Sequence, residues 1–383
     1  MAGERKPKAE RRDDPSFTRR VQRTGSSSLS VTLPKSWTDS MNLQIGDALR
    51  FRDLGAGRLE ISPTSVEPAT ARRQKLLKID ATDAQPNLLA RLLIGGYITG
   101  QDQILVTSRS GLTPEQRLEI RRTVAHVLGM TVVEEDDRGV QVQNFIDPGK
   151  YQLHRLVNQV VRLLRAQLEA CRAALLAGER VEMHQLGPME DEVDRFYLLM
   201  VRQILLSSDD FQIARDIGVE SHHFQIGDRL VAKVLEVAGD LVAGVGREMS
   251  EGYPGLKKLS KGEVVDLASI LTQVDSLLGS TMQAFTRLSV VAANEALNEI
   301  SRALAPTYAL ADSLAHRIRD RKATLTVERI ISHLIMAMEM LVIVNEVTIN
   351  RGVEPETVAQ TDREVVMETK VSAEPGTRPS NGR

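Results

Sequence analysis

The sequence is poor in the residue types that form cross-links, thiolate metal centres and aromatic clusters. It has one cysteine, Cys171, and only 3% aromatic residues among 383. A single cysteine excludes an intrachain disulfide and any zinc or iron–sulfur centre with several thiolate ligands. Free thiols are typical of reducing compartments, so we expect a cytoplasmic protein.

Long apolar runs are also lacking. The most apolar late segment, residues 330–344, contains Ser332, His333 and Glu339, and it is shorter than the ~20 apolar residues that span a bilayer. The first residues are charged and contain no apolar core of the kind that a signal peptide has. We therefore expect no membrane insertion.

What the sequence does contain is a helix-forming composition with balanced charge. Hydrophobic residues make up 42% and charged residues 26%, enough for a sizeable core, and the formal net charge is −2. Leu, Ala and Val are abundant while aromatic residues are few, which favours a helix-rich protein. Since the net charge favours no class of partner, basic clusters have to be judged locally.

Changes in composition divide the chain into six segments. The length alone predicts two or three domains. In order, the segments are a flexible basic arm (1–15), a small β-rich domain (16–63), a linker (64–74), a small α/β domain (75–148), a helical domain (149–351) and a disordered tail (352–383).

Residues 16–63 combine strand and turn signals with basic side chains. Residues 29–33 alternate apolar and polar, Pro34 suits the first turn of a short helix, and a glycine-rich turn separates the strands of a later hairpin. About fifty residues cannot bury enough surface alone, so we expect a homodimer. Lys and Arg neutralise nucleic-acid phosphates. The candidate DNA contacts are Arg19, Arg20, Arg23 and Lys35.

A second interpretation of this basic domain stays open. Arginine-rich segments are often only solvated, and the acidic residues Glu4, Glu10, Asp13 and Asp14 weaken the charge of the arm itself. In that case the small β-rich domain serves dimerisation alone and binds no DNA.

The remainder of the chain changes from mixed to purely helical patterns. Residues 75–148 follow the order β-α-β-α-β-β, which predicts a small sheet with helices on one face. Beyond them, six amphipathic helices indicate one antiparallel bundle or a pair of three-helix bundles, with degenerate repeats at about 150–250 and 260–351. The predicted helices span 151–177, 181–206, 219–249, 264–292, 294–318 and 324–350.

Two acidic pairs occur on these helices, and the first of them interrupts an apolar face. Glu190 and Asp194 are four residues apart and therefore share a helix face, and Glu236 and Asp240 repeat the spacing. Like charges at this spacing repel, and burying them unpaired is costly. A hard divalent or ferric ion (Fe, Zn, Mg or Mn) prefers such oxygen ligands and would remove both costs.

Salt bridges offer an alternative without a metal. Arg229, Lys233 and Arg247 share the face of Glu236 and Asp240, and ion pairs at three or four residues' spacing stabilise a helix. The sequence leaves the choice between a metal site and a salt-bridge network open.

Residues 17–63 resemble the AbrB/MazE-like (SpoVT-AbrB) swapped-hairpin domains. The resemblance is carried by a basic strand around Arg20, by Gly25-Ser-Ser, and by Leu29-x-Val-x-Leu-Pro-Lys35. It continues in Leu43-x-x-Gly-Asp47 and Leu59-x-Ile-x-Pro63. The resemblance implies a dimeric, β-rich, DNA-binding domain.

Residues of about 150–350 resemble the PhoU family of phosphate uptake regulators. The matching elements are Glu190-x-x-x-Asp194 followed by Arg-Phe-Tyr, and Glu236-Val-Ala-Gly-Asp240. The resemblance implies a pair of three-helix bundles with metal bound through these elements. An AbrB-like domain followed by a PhoU-like one is similar to archaeal phosphate uptake regulators.

The second half departs from the PhoU pattern. Asn294 and Asn298 stand where the resemblance implies a carboxylate pair, and Ser332 stands where an aspartate would complete Glu328. Amide oxygens bind cations but bring no charge, so Asn294, Asn298 and Glu328 are weaker candidate ligands.

Two functions follow, and an enzyme is not expected. The first is a dimeric DNA-binding transcriptional regulator of phosphate uptake with a PhoU-like sensing domain. The alternative is an interaction protein that docks on the ATPase subunit of a phosphate ABC transporter or on a sensor kinase. No Glu-x-x-His element of di-iron bundles and no nucleophile–histidine arrangement can be identified.

Overall fold

The computed structural model describes residues 18–25, 28–55, 58–64, 75–219 and 222–354. The chain forms two compact units, Met1–Arg73 and Gln74–Arg383, and each is described by itself. The predicted arm (1–15), most of the predicted linker and the tail beyond residue 354 lie outside the described residues.

The N-terminal unit consists of two antiparallel hairpins and a short helix. The elements are β1 (Gln22–Thr24), β2 (Ser28–Ser30), α1 (Lys35–Ser40), β3 (Leu49–Gly55) and β4 (Arg58–Pro63). In the first hairpin Arg23 lies opposite Leu29, and in the second Phe51 lies opposite Ile61. Thr24, the last residue of β1, pairs with Ser28, the first residue of β2.

This unit buries almost nothing by itself. Among its described residues only Pro63 is buried. Leu29, Phe51 and Leu59 leave 72%, 59% and 57% of their surface exposed, and Val31 is exposed as well. A protein unit without an apolar core lacks the main free-energy term that favours folding. The hairpins therefore present apolar side chains that an isolated chain leaves in water.

The second unit begins with an α/β layer. Its elements are β5 (Leu76–Asp80), α2 (Leu88–Ile98), β6 (Gln103–Thr107), α3 (Pro114–Ala125), β7 (Met130–Glu135) and β8 (Gly139–Asn144). The sheet order is β5-β6-β8-β7, with β5 parallel to β6 and β8 antiparallel to both of its neighbours. Alternate residues such as Ile104, Val106 and Val142 are buried against Leu93 and Tyr97 of α2. The predicted β-α-β-α-β-β order is confirmed.

Eight helices make up the rest of the second unit. They are α4 (Leu153–Ala177), α5 (Met183–Asp209), α6 (Phe211–Ile217), α7 (His222–Glu251), α8 (Tyr253–Leu256), α9 (Lys261–Arg287), α10 (Val290–Arg317) and α11 (Arg321–Gly352). One group of three long helices is formed by α4, α5 and α7 and another by α9, α10 and α11. The groups pack together through α7 on α11 and α4 on α9. The predicted fold class, mainly α with a small β-rich N-terminal region, is confirmed.

Two short helices and one helix boundary differ from the prediction. The sequence did not predict α6, which Asp210 begins by accepting a hydrogen bond from the Gln212 backbone, or α8. The break between α9 and α10 lies at Leu288 and Ser289 rather than near residue 293. Leu288 ends α9 in a left-handed conformation (φ 52°) that glycine normally adopts, so the sequence carried no helix-stop signal there.

Close packing of α5 against α7 depends on a glycine. A Cβ atom placed on Gly239 would lie 2.9 Å from Val193 Cγ1, which is closer than two carbon atoms normally approach. Gly239 directly precedes Asp240, and Val193 directly precedes Asp194. The glycine therefore brings the acidic faces of the two helices together.

One of the described helices, α11, is long and apolar enough to cross a bilayer by length and composition alone. The expectation that this region is too short and too polar did not allow for a 32-residue helix. In the structure 56% of its most apolar stretch is buried, and residues such as Ile330, Leu334 and Met338 lie in the core of the bundle. Packing between helices accounts for the apolar composition.

Candidate functional sites in the hairpin unit and the helical bundle

The predicted DNA contacts lie on the surface of the N-terminal unit. Arg19 and Arg20 precede β1, Arg23 is its central residue and Lys35 begins α1, and all four are exposed. The hairpin that carries Arg23 is held by the Thr24 hydroxyl, which donates to Ser30 Oγ at 2.8 Å. All four cationic side chains thus lie at the surface of this unit.

The structure brings the four predicted carboxylates together between α5 and α7. Arg247 donates from Nη1 to both carboxylate oxygens of Glu190, at 2.9 Å each. Lys233 Nζ lies 2.5 Å from Glu236 Oε2. Asp194 and Asp240 lie near each other in this cluster, close enough for the charge of Asp240 to raise the pKa of Asp194. The result is a mixed network in which two carboxylates have cationic partners.

In this arrangement the two aspartates are the carboxyl groups whose pKa values are raised. Partial burial, followed by repulsion from Asp240, Glu236 and Glu190, raises the pKa of Asp194 to about 6. Burial and the same glutamates also raise the pKa of Asp240. Asp194 is therefore the carboxyl group of the cluster that takes up a proton near neutral pH.

Tyr197 continues the network along the seam between α5 and α7. Lys233 Nζ lies 5.2 Å from the centre of the Tyr197 ring, and the Arg229 guanidinium lies 5.6 Å from it. Both distances are within the range of cation–π attraction. Of the three basic residues named from the sequence, Lys233 pairs with Glu236 on α7 and Arg247 pairs with Glu190 of α5, whereas Arg229 contacts the Tyr197 ring.

The side chains as arranged do not form a metal site. Among the described residues, no three His, Cys, Asp or Glu side chains converge closely enough to hold a metal ion. The oxygens of Glu190 and Glu236 are engaged by Arg247 and Lys233. A cation at this cluster would require both basic side chains to turn away.

The weaker ligand set of the second half is not assembled. Tyr308 of α10 donates to Glu339 of α11 at 3.3 Å, which fixes how the antiparallel helices lie side by side. Asn298 lies ten residues before Tyr308, and Glu328 lies eleven residues before Glu339. Because the helices are antiparallel, these displacements add to about 30 Å at 1.5 Å per residue. Asn294 and Asn298 are therefore far from Glu328.

A buried arginine that sequence reasoning missed joins the bundle to the α/β layer. Arg202 of α5 is fully buried, and its guanidinium lies 5.0 Å from the centre of the Tyr97 ring. It donates to the backbone carbonyls of Tyr97 and, at 3.0 Å, of Gln101, and lies 3.5 Å from Asp102. A signal was present, since Arg202 interrupts an apolar run on α5.

A family model matches the N-terminal part of the chain. Residues 22–69 match the family model described as "Antidote-toxin recognition MazE, bacterial antitoxin". No curated protein gives a significant match, and neither does any solved structure. The match covers most of the hairpin unit and none of the second unit.

This match supports the coarser part of the sequence interpretation. The hairpin unit is similar to a MazE/AbrB-like domain, which fits a DNA-binding or dimerising regulatory role. The PhoU resemblance receives no support from the comparisons, and phosphate uptake and metal binding stay predictions.

Proposed function

We propose that the protein is a dimeric, DNA-binding transcriptional regulator of phosphate uptake, non-enzymatic and cytoplasmic. The observation that carries the proposal is the hairpin unit, which is similar to a MazE/AbrB-like domain and exposes both apolar and cationic side chains. The phosphate part of the proposal rests on the sequence resemblance of the helical unit to PhoU.

Dimerisation follows from the lack of a core in the hairpin unit. Leu29, Val31, Phe51 and Leu59 are exposed on its two hairpins. A second copy that interleaves its own hairpins would cover them and supply the apolar burial that one copy lacks.

DNA binding follows from the cations that remain exposed. Phosphate contacts by Lys and Arg supply most of the affinity and position a protein on the duplex. In a dimer the cations of each copy occur twice, and a two-fold arrangement suits paired half-sites. Arg19, Arg20, Arg23 and Lys35 are the proposed contacts in each copy.

We propose that the helical unit is the part of the protein that responds to the regulatory signal. The acidic cluster on α5 and α7 is the place where binding of a cation would change local charge most. A divalent or ferric ion there would draw Asp194 and Asp240 together with Glu190 and Glu236 after displacement of Arg247 and Lys233. Loading of the purified protein with each metal, followed by elemental analysis, tests this. Binding equal in wild type and the double variant Asp194→Asn/Asp240→Asn would exclude the site.

The experiment for the main proposal is capture of sheared host DNA by the full-length protein. We expect enrichment of discrete fragments by the wild type and its loss in Arg19→Ala/Arg20→Ala/Arg23→Ala. The matched control is Arg91→Ala/Arg155→Ala/Arg302→Ala, which removes three exposed cations from the second unit. DNA binding should also weaken steeply with added salt.

Two outcomes would change the proposal. Equal capture by the hairpin variant and the control variant would exclude these arginines as contacts. Absence of capture by the wild type at low salt would favour the alternative function, in which the protein docks on the ATPase of a phosphate ABC transporter or on a sensor kinase and the hairpin unit only dimerises.

A further inference from the structure

Seven lysine and arginine residues lie close together in the second unit where α9 and α11 begin. We name this cluster the basic tip. It combines the segment after α8 with the connection between α10 and α11, and within these two segments Asp320 is the single acidic residue. The residues of the basic tip are Lys257, Lys258, Lys261, Arg317, Arg319, Arg321 and Lys322.

Packing holds the two segments side by side. Lys258 forms an ion pair with Asp320 across the gap between them. Arg317 lies 2.5 Å from Asp266 in the second turn of α9. A Cβ atom on Gly255 of α8 would lie 3.0 Å from Ala323 Cα, so α8 rests directly on the start of α11. The basic tip is thus one surface and not two separate loops.

Five of these cations have no ion pair among the described residues, and one of the five, Lys257, lies over the Tyr253 ring. Lys261, Arg319, Arg321 and Lys322 are exposed, and the described residues provide them with no ion pair. Lys261, Arg321 and Lys322 also stand in the first turns of α9 and α11, where the helix dipole disfavours positive charge. These charges lower the stability of the helices that carry them, which is typical of residues retained for a function.

The neighbouring α4–α5 connection does not extend the positive charge of the basic tip. The connection between α4 and α5 lies at the same end, because Tyr253 donates to the Gly178 carbonyl at 3.0 Å. That connection carries Glu179 and Glu182 beside Arg180, so its charge is not positive. A partner of the basic tip is therefore anionic and approaches over α9 and α11.

Exposed aliphatic side chains lie among the cations. Val265 follows Lys261 by one turn and is 59% exposed, and Leu325 follows Arg321 by one turn and is 45% exposed. Residues four apart share a helix face, so each aliphatic side chain lies beside a cation. The phosphate backbone of a nucleic acid offers no apolar groups for such side chains to contact. The interface of an anionic bilayer accommodates cationic and aliphatic side chains together.

We propose that the basic tip docks reversibly on an anionic lipid surface. The lysines and arginines would contact the lipid phosphates, while Val265 and Leu325 insert at the headgroup boundary. The bundle itself would stay folded and outside the bilayer. This goes beyond the proposed function and does not depend on DNA binding by the hairpin unit.

The test is flotation of the full-length protein with vesicles of phosphatidylcholine, with and without phosphatidylglycerol. We expect binding only to vesicles that contain phosphatidylglycerol, and loss of binding at high salt. Each cation near an anionic surface raises the vesicle partition coefficient by about fivefold. The triple variant Arg319→Ala/Arg321→Ala/Lys322→Ala should therefore lower this coefficient by about 100-fold. Leu325→Ser should weaken it less. Since all four side chains are exposed, the variants should stay folded, and removal of Arg321 and Lys322 from the first turn of α11 should leave the thermal unfolding midpoint at or slightly above that of the wild type.

Control variants separate this proposal from the other activities of the chain. Arg91→Ala/Arg155→Ala/Arg302→Ala removes the same charge elsewhere and should bind vesicles as the wild type does. Arg19→Ala/Arg20→Ala/Arg23→Ala should lose DNA but retain vesicle binding. Lack of wild-type binding to anionic vesicles, or equal binding by the basic-tip variant, would overturn the proposal. If the basic-tip variant instead loses affinity for duplex DNA, the surface binds nucleic acid and the lipid proposal is wrong.

Discussion

Asp194 shows how a single side chain links the fold to pH. Its neighbours on α5 and α7 are mostly other carboxylates, and burial together with these charges raises its pKa to about 6 from an ordinary value of 3.8. A raised carboxyl pKa means that the folded state binds the proton more tightly than the unfolded chain does. The stabilising effect of the proton is complete below the unfolded pKa and is lost as pH rises through the folded value.

Replacing Asp194 with asparagine should therefore stabilise the bundle at neutral and alkaline pH. The full shift corresponds to about 3 kcal/mol, and exposure of part of the side chain reduces our expectation to about 1 kcal/mol. The gain in unfolding free energy should grow from about pH 4 to about pH 7 and then level off. Urea unfolding in the presence of a chelator measures it, with Asp312→Asn as an exposed control on α10. A gain that does not vary with pH would contradict the assigned shift.

Arg202 is a single side chain whose contacts contribute to the stability of the second unit. Its guanidinium is fully buried, stacks on Tyr97 and donates to backbone carbonyls of the α/β layer. Arg202→Met would remove the guanidinium contacts with Gln101, Tyr97 and Asp102, while the Tyr97 carbonyl keeps the Gly100 N–H and Asp102 keeps the Lys75 N–H as donors. Because removal of one partner of a buried charged contact is costly, we expect the unfolding free energy to fall by about 3 kcal/mol.

The control for Arg202 is Arg91→Met on the exposed face of α2, which should change stability by less than about 0.5 kcal/mol. Amide hydrogen exchange adds a second readout. Loss of Arg202 should raise exchange in the α/β layer more than in α9–α11, since the contact joins that layer to α5. Uniform exchange throughout the second unit would argue against a specific joining role.

At the scale of the element, two helix glycines distinguish the effect of close packing on stability from the effect of helix propensity. A Cβ on Gly239 of α7 would collide with Val193, whereas a Cβ on Gly279 of α9 would meet nothing within 4 Å. Gly279→Ala should raise the unfolding free energy by about 1 kcal/mol through propensity alone. Gly239→Ala gains the same propensity but must push α5 away, and we expect a net loss of about 1 kcal/mol.

The two alanine variants should thus change the thermal unfolding midpoint in opposite directions, as scanning calorimetry would measure. A stabilising Gly239→Ala would mean that α5 and α7 can separate without cost. In that case the close approach that brings Asp194 near Asp240 would not be a fixed feature of the bundle.

The elements also show which parts of the fold were predictable. Long amphipathic periods predicted the six long helices, and cap residues such as Thr113 fixed the start of α3, because these signals are local. The break at Leu288 was missed since a leucine there adopts a glycine-type conformation under tertiary packing. Register between helices is non-local, so the distance between Asn298 and Glu328 could not be read from a spacing rule.

The candidate site was predictable in composition but not in pairing. The i, i+4 spacing identified Glu190 with Asp194, and Glu236 with Asp240, as neighbours on one helix each, and the structure brings the two pairs together. Which cation pairs with which carboxylate depends on how the helices lie against each other, as Arg247 with Glu190 shows. The contacts of Arg202 could not be predicted, because its partners include backbone carbonyls, which no sequence pattern marks.

At the scale of the whole molecule, the two units differ in how their apolar residues are covered. The second unit buries a continuous core of its own, whereas the hairpin unit exposes Leu29, Phe51 and Leu59. The difference is what an obligate dimerisation unit attached to an independently folded unit would show. Oligomeric state should therefore depend on the hairpin unit alone.

Leu29→Asp/Phe51→Glu should convert a dimer into a monomer, because the new charges would be buried unpaired between copies. Analytical ultracentrifugation measures the mass, and far-ultraviolet circular dichroism should show that the helical unit stays folded. Leu118→Asp, an exposed leucine of α3, is the control and should leave the dimer intact. Since DNA contacts occur twice only in a dimer, the monomer should also lose about 100-fold or more in DNA affinity. A monomeric wild type would exclude dimerisation and with it the two-fold DNA-binding arrangement. A variant that is still a dimer with both charges in place would mean that the copies associate through another surface, and the proposed arrangement of the DNA contacts would then be wrong.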